Sequence, residues 1–149
     1  MSESGFDPGL SDPARAGVYF VTGDDLPMLE MAARDAGLRP ARIDLQHCTG
    51  KSTLMLRMAM ALAFPPGSGR NWDALSDLLR DLGWLNAPGG HVLLLEAAAG
   101  LRDADEVQFD ILLSILEESS MAWRGAGIRF WASLALPEQE FDAAPEMLS

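Results

Sequence analysis

The run His91-Val92-Leu93-Leu94-Leu95-Glu96 decides the fold class. Its apolar positions are continuous rather than alternating, so neither face is left for water, and it follows the turn Pro88-Gly89-Gly90. A short unbroken run of this kind is expected of a strand covered on both faces, the setting of a parallel sheet between helices. Outward from it, strand-like and helix-like segments alternate. Val18-Tyr19-Phe20-Val21 is rich in β-formers and stops at Thr22-Gly23-Asp24-Asp25. Asp25 is the expected cap of a helix that begins at Leu26, carries Leu26, Leu29, Ala33 and Ala36 as its apolar stripe, and ends at Gly37. Residues 41–45 read as a short strand. The helix expected from about residue 51 to 63 is apolar on most sides and should be largely buried.

Residues 64–70 hold two prolines and two glycines and form a loop. Asn71 then caps a third helix that turns Leu75, Leu78, Leu79 and Leu82 inward and ends near Gly83. Asp103 or Asp105 starts a long helix through about Arg124, with Phe109, Leu112, Leu113 and Leu116 on its core side. Gly125-Ala126-Gly127 breaks it, and residues 128–134 read as a last strand. The order β-α-β-α-α-β-α-β implies an α/β fold: a small parallel sheet of four strands packed by helices. It leaves the pairing order of the strands open.

At 149 residues the chain suits one domain. Residues 1–16 are expected to be a flexible leader, 17–136 the domain, and 137–149 an acidic tail. Eleven basic against 22 acidic residues give a formal charge of −11. Such a surface repels phosphates and anionic lipid, which argues against nucleic acid and membranes as partners. It leaves a basic partner or a plain soluble acidic protein. One cysteine, Cys48, makes no internal disulfide, and the start Met1-Ser2-Glu3-Ser4-Gly5 has neither the charge nor the apolar run of a signal peptide. A cytoplasmic monomer is the expectation.

The chemical motifs are thin. Gly50-Lys51-Ser52-Thr53 lies between a strand and a helix, as a phosphate loop does, but the glycine required five residues earlier is Leu45, and His47 and Cys48 fill the loop. A helix N-terminus is the plainer reading, with a nucleotide-binding enzyme as the competing hypothesis. His47, Cys48 and His91 are too few for a closed zinc site, and nothing flanking Cys48 marks it as a nucleophile. Neither a metal nor a cofactor is expected. Asp73, Asp77 and Asp81 recur every four residues and share one face of the third helix. Like charges at that spacing cost roughly 0.2–0.5 kcal/mol per pair. The helix dipole favours Asp73 and Arg80 partly offsets Asp77, while a solvated face remains the simple alternative to a docking surface.

The stretch Phe64-Pro65-Pro66-Gly67-Ser68-Gly69-Arg70-Asn71-Trp72-Asp73-Ala74-Leu75-Ser76-Asp77 resembles the signature of the barstar family, inhibitors of barnase-type ribonucleases. The resemblance centres on Gly69-x-Asn71-Trp72-Asp73-Ala74-Leu75-x-Asp77 and extends over about residues 41–136, with 17–40 as an N-terminal extension. It implies a non-catalytic inhibitor whose acidic helix and preceding loop fill the cationic active site of a basic ribonuclease. It implies Asp73 and Asp77 as charged contacts, Asp77 central, with Asn71 at the helix start and Gly69 and Ser76 in the same surface. Glu118 on the long helix stands near a further acidic contact. The family's loop aromatics are replaced by Gly67 and Ser68, and Ser76 occupies the place of a tryptophan. A barstar-like immunity or regulatory module for a different basic protein is the alternative.

Overall fold

The computed structural model describes residue 10 and residues 12–137 of the chain. The strands are β1 (Gly17–Val21), β2 (Arg39–Asp44), β3 (His91–Glu96) and β4 (Phe130–Ala135). The helices are α1 (Leu26–Asp35), α2 (Lys51–Leu62), α3 (Trp72–Asp81), α4 (Ala99–Ala104) and α5 (Glu106–Gly125). All strand pairs are parallel, in the order β1-β4-β3-β2. The α/β class and the four-stranded parallel sheet expected from the sequence are therefore found.

The pleat sends alternate residues of the central strands to two cores. Leu93, Leu95, Ala132 and Leu134 join Leu54, Met58, Leu75, Leu79, Leu112 and Leu116, so α2, α3 and α5 cover one face. Val92, Leu94, Trp131 and Ala135 join Leu26, Leu29 and Ala33, so α1 covers the other. Residues 91–95 and 130–135 are buried throughout, as the unbroken apolar run requires.

Several expectations are corrected. The second helix is not buried on most sides: Leu54, Met55, Met58 and Leu62 are, but Leu56 is 41% and Met60 71% exposed. Only one side of α2 has the sheet beneath it, and composition does not say which sides of a helix find neighbours. Asp25 does not cap α1 with its side chain; its carboxylate instead accepts the Thr22 N–H at 3.2 Å, closing the 3-10 turn Gly23–Asp25. The long helix is preceded by the separate helix α4, and Asp105, whose carboxylate accepts the Gln108 N–H, starts α5. β2 begins earlier than expected and includes Pro40, which an edge strand tolerates because one row of its hydrogen bonds is unused. The final strand begins at Phe130 rather than 128. Most of the expected leader and all but Pro137 of the expected tail lie outside the described residues. Within the leader segment Pro13–Arg15 is a 3-10 turn, and Leu10 and Ala16 are buried.

His91 is an imidazole set deep in this frame, 5% exposed and flanked by the rings of Trp123 and Phe130. Burial, with Arg39 adding to it, pushes its imidazole down from 6.5 to about 4. The unfolded chain takes up this proton below pH 6.5 and the native chain only near pH 4, so stability falls as pH drops through that window. The loss attributable to His91 is on the order of 3 kcal/mol. Urea unfolding at pH 7 and pH 4 should show that share of the pH dependence in the parent and not in His91→Phe.

Candidate functional site

The acidic helix α3 follows a loop that contains two glycines, Gly67 and Gly69. Gly67 sits at φ +85, a left-handed conformation that disfavours any side chain. At Gly69 a Cβ atom would lie 3.1 Å from the Ala74 Cβ, a tight approach that a side chain could make only if the helix start gave by a few tenths of an ångström. The Ser68 hydroxyl donates to the Pro65 carbonyl at 2.6 Å and tightens the same loop. Asn71 then caps the helix: its side-chain oxygen accepts the Ala74 N–H at 2.8 Å.

Three tryptophan N–H groups secure this region. Trp72 donates to the Gln108 side chain at 3.2 Å, tying the start of α3 to the start of α5. Trp123 on α5 donates to the Leu79 carbonyl at 2.8 Å, and Trp84, just past α3, donates to the Leu62 carbonyl at 2.9 Å. With Leu75 and Leu79 buried beneath it, α3 is held along its length. Each indole packs a half-buried apolar ring against the core while its one polar atom is satisfied, an economical way to fix a surface helix.

The outward face of α3 carries Asp73, Asp77 and Asp81. Asp73 lies in the first turn, where the helix dipole favours a carboxylate. The Asp77 side chain is 78% exposed and accepts from the Arg80 guanidinium at 2.8 Å. Arg80 therefore partly neutralises Asp77, as the spacing suggested, in an exposed pair that is easily exchanged for another cation. Asp81 accepts the Gly83 N–H at 3.0 Å and belongs to the helix end. Ser76 is half-buried beside Asp77, and its carbonyl accepts from Arg80 at 3.2 Å. Glu118 is exposed on α5, three residues beyond buried Ile115. The fold thus places Gly69, Asn71, Asp73, Ser76 and Asp77 in one loop-helix unit, and Glu118 on the neighbouring helix.

Two features were not anticipated from the sequence. Arg70, exposed just before the Asn71 cap, adds a second cation to the loop-helix unit. A cavity of about 160 Å³ opens next to the loop, floored by Met55, Ala59, Phe64 and Leu75 and rimmed by Gly67 and Arg70. The prolines and glycines of residues 64–70 announced a loop, but a hollow between loop and helices is a product of packing.

The other candidates are dispersed. Gly50-Lys51-Ser52-Thr53 forms the α2 N-terminus, and the preceding loop turns through His47 at φ +63. Cys48 is fully buried, its thiol directed at the Gly50 carbonyl and pushed up by desolvation. His47 is exposed and His91 lies within the core. Among the described residues no three acidic, histidine or cysteine side chains cluster as metal ligands, and no helix is long and apolar enough to cross a membrane. A crevice at the carboxyl ends of the strands, where open α/β sheets commonly bind ligands, is lined by Asp44, Glu96 and Arg42. Its guanidinium already bonds Glu96 at 2.6 Å and Glu30 at 2.9 Å. Arg34 and Arg42 hold the Glu30 carboxyl below its usual range.

The fold and its surface define a small α/β protein with an organised acidic face on one firmly anchored helix. The profile of the Barstar (barnase inhibitor) family matches residues 38–135, two thirds of the chain, and the chain belongs to that family. The family is one of protein inhibitors that bind a protein partner; β1 and α1 precede the matched residues. No curated protein matches the sequence. Among solved structures, Drosophila ORC bound to DNA is similar with a TM-score of 0.51 and 18% identity, over 87% of this chain and 35% of that one. The Aeropyrum pernix ORC2 protein, in its ADPNP-ADP complexes, is similar with a TM-score of 0.52 and 17% identity, over 88% of this chain and 39% of that one. This chain spans well under half the length of those two, and at such identity the likeness is one of fold alone.

Asn71→Ala should lower stability by about 1 kcal/mol through loss of the cap, and Asn71→Asp should retain most of it. Urea midpoints of the two variants check this.

Proposed function

We propose that the protein is a stoichiometric inhibitor of a basic, barnase-type ribonuclease, acting in the cytoplasm without catalysis or cofactor. One chain blocks one active site with α3 and the loop before it. The observation that supports this most is the pair of exposed carboxylates, Asp73 and Asp77, on a helix whose start is set by Asn71 and whose length is anchored by tryptophans. Carboxylates fixed before binding lose little freedom on docking and can stand where RNA phosphates would lie. Gly69 allows the loop to lie close to the helix, and Ser76 and Glu118 border the same contact. The overall charge of −11 attracts a cationic nuclease at long range, so association should be fast and weakened by salt.

The Arg80–Asp77 pair refines this reading. A nuclease cation that reaches Asp77 displaces Arg80, whose contact is exposed and weak. A second reading, a barstar-like immunity or regulatory module for a different basic protein, is favoured by the loop. Gly67 at φ +85 presents no side chain, so the loop carries no aromatic anchor there.

In an inhibition titration against a barnase-type ribonuclease, Asp77→Ala should weaken binding by about 2–5 kcal/mol, since it leaves nuclease cations unpaired in a desolvated site. The Asp73→Ala/Asp77→Ala double variant should abolish inhibition at equimolar protein. Undiminished inhibition by that double variant would rule out this role for α3. Arg80→Ala should tighten binding and raise the association rate, measured by stopped-flow at low salt.

A further inference from the structure

In place of the monomer expected from the sequence, we propose that two copies of this chain pair through β1, edge to edge, to make one continuous eight-stranded sheet with two-fold symmetry. Among the described residues the sheet has two edge strands, β1 and β2, and they differ in kind. β2 carries exposed Arg39, Arg42 and Asp44, and Pro40 lacks an N–H; charges and proline are how natural edges avoid pairing. β1 reads Gly17-Val18-Tyr19-Phe20-Val21, without a charge or a proline, and Tyr19 and Phe20 are 39% and 45% exposed. In a molecule of net charge −11, this neutral apolar edge is a place where a second copy meets little repulsion.

The hydrogen-bond pattern is compatible with self-pairing. The Val21 carbonyl accepts from the Leu136 N–H at 2.8 Å, on the β4 side. In a strand, one residue's N–H and C=O point the same way and alternate residues point oppositely. Gly17, Tyr19 and Val21 therefore serve β4, and Val18 and Phe20 direct their backbone groups at the open edge. A two-fold axis relating identical strands makes them antiparallel. Centred on Tyr19, such a pairing sets Val18 opposite Phe20 of the second copy, and Phe20 opposite its Val18. Both pairs exchange two N–H···O bonds around a non-hydrogen-bonded Tyr19–Tyr19 pair, the alternation that antiparallel ladders require.

The ends of the strand also match in charge. Full overlap of residues 17–21 carries exposed Arg15 of each copy to the end where the other has exposed Asp24. Symmetry makes that contact twice. Beside the edge runs a groove of about 250 Å³ lined by Leu10, Tyr19, Phe20, Leu29 and Trp131, and pairing extends its apolar wall. The contact lies on β1 and the proposed nuclease-binding surface on α3, so the two can be tested separately.

Sedimentation equilibrium of the full chain over a wide concentration range should show a species of twice the 16.1 kDa chain mass. Phe20→Lys should raise the dimer dissociation constant by about tenfold or more, with an unchanged circular dichroism spectrum and unchanged nuclease inhibition. Arg15→Asp and Asp24→Arg should each weaken the dimer, and the double variant should restore it. A parent chain that stays monomeric at every concentration, its edge covered by its own ends or by nothing, overturns the proposal. So does a dimer indifferent to Phe20→Lys and to both charge reversals.

Discussion

The burial of β3 on both faces is the constraint from which the rest of the molecule follows. A strand with no polar side must lie inside a sheet and beneath two layers of helices. Its neighbours β2 and β4 satisfy its backbone, and Val92 and Leu94 on one side and Leu93 and Leu95 on the other demand separate cores. α1 covers one of them, and α2, α3 and α5 share the other. The asymmetry has consequences at the surface. Three helices over one face of a four-stranded sheet leave α3 with only one buried side, and its polar side becomes the acidic face. One helix over the other leaves Tyr19, which lies against Trp131 at the β1 end of the sheet, partly in water.

Rigidity and charge are supplied to the acidic face by different means. Rigidity comes from indole N–H bonds between α3, α5 and the end of α2, and from the Asn71 N-cap, which the loop approaches closely at Gly69. Charge comes from aspartates that are individually weak and mutually repelling, moderated by the Arg80–Asp77 pair. Beyond the net charge of −11, the acidic face depends on the positioning of a few carboxylates. Burying a paired carboxylate is favourable only when a partner's cation replaces the water and the arginine it gives up.

Particular residues show how far a reading of the chain could go. The helix at Asn71 was legible because an N-cap is a local matter of one side chain and one N–H three residues on. β3 was legible to the residue because a strand buried on both sides has a pattern no surface element shares. α2 misled because its Leu56 and Met60 are apolar but not covered, and coverage depends on neighbours distant in sequence. The short helix α4 was missed because its residues carry no cap or stripe that sets them apart from the α5 start. Asp25 has the chemistry of a cap, yet its carboxylate closes the turn before the helix, a choice between two nearby N–H groups that composition does not make.

By itself the sequence determined the class of fold, the acidic character and the Asp73–Asp77 spacing, because burial patterns, net charge and helical period are properties of the chain read in order. Only the tertiary structure decided the strand order β1-β4-β3-β2, the indole anchors of α3, the cavity beside its loop and the place of β1 at the end of the sheet. Those are relations between residues tens of positions apart. They are set by which surfaces pack together when the two cores close, and no local propensity encodes that outcome.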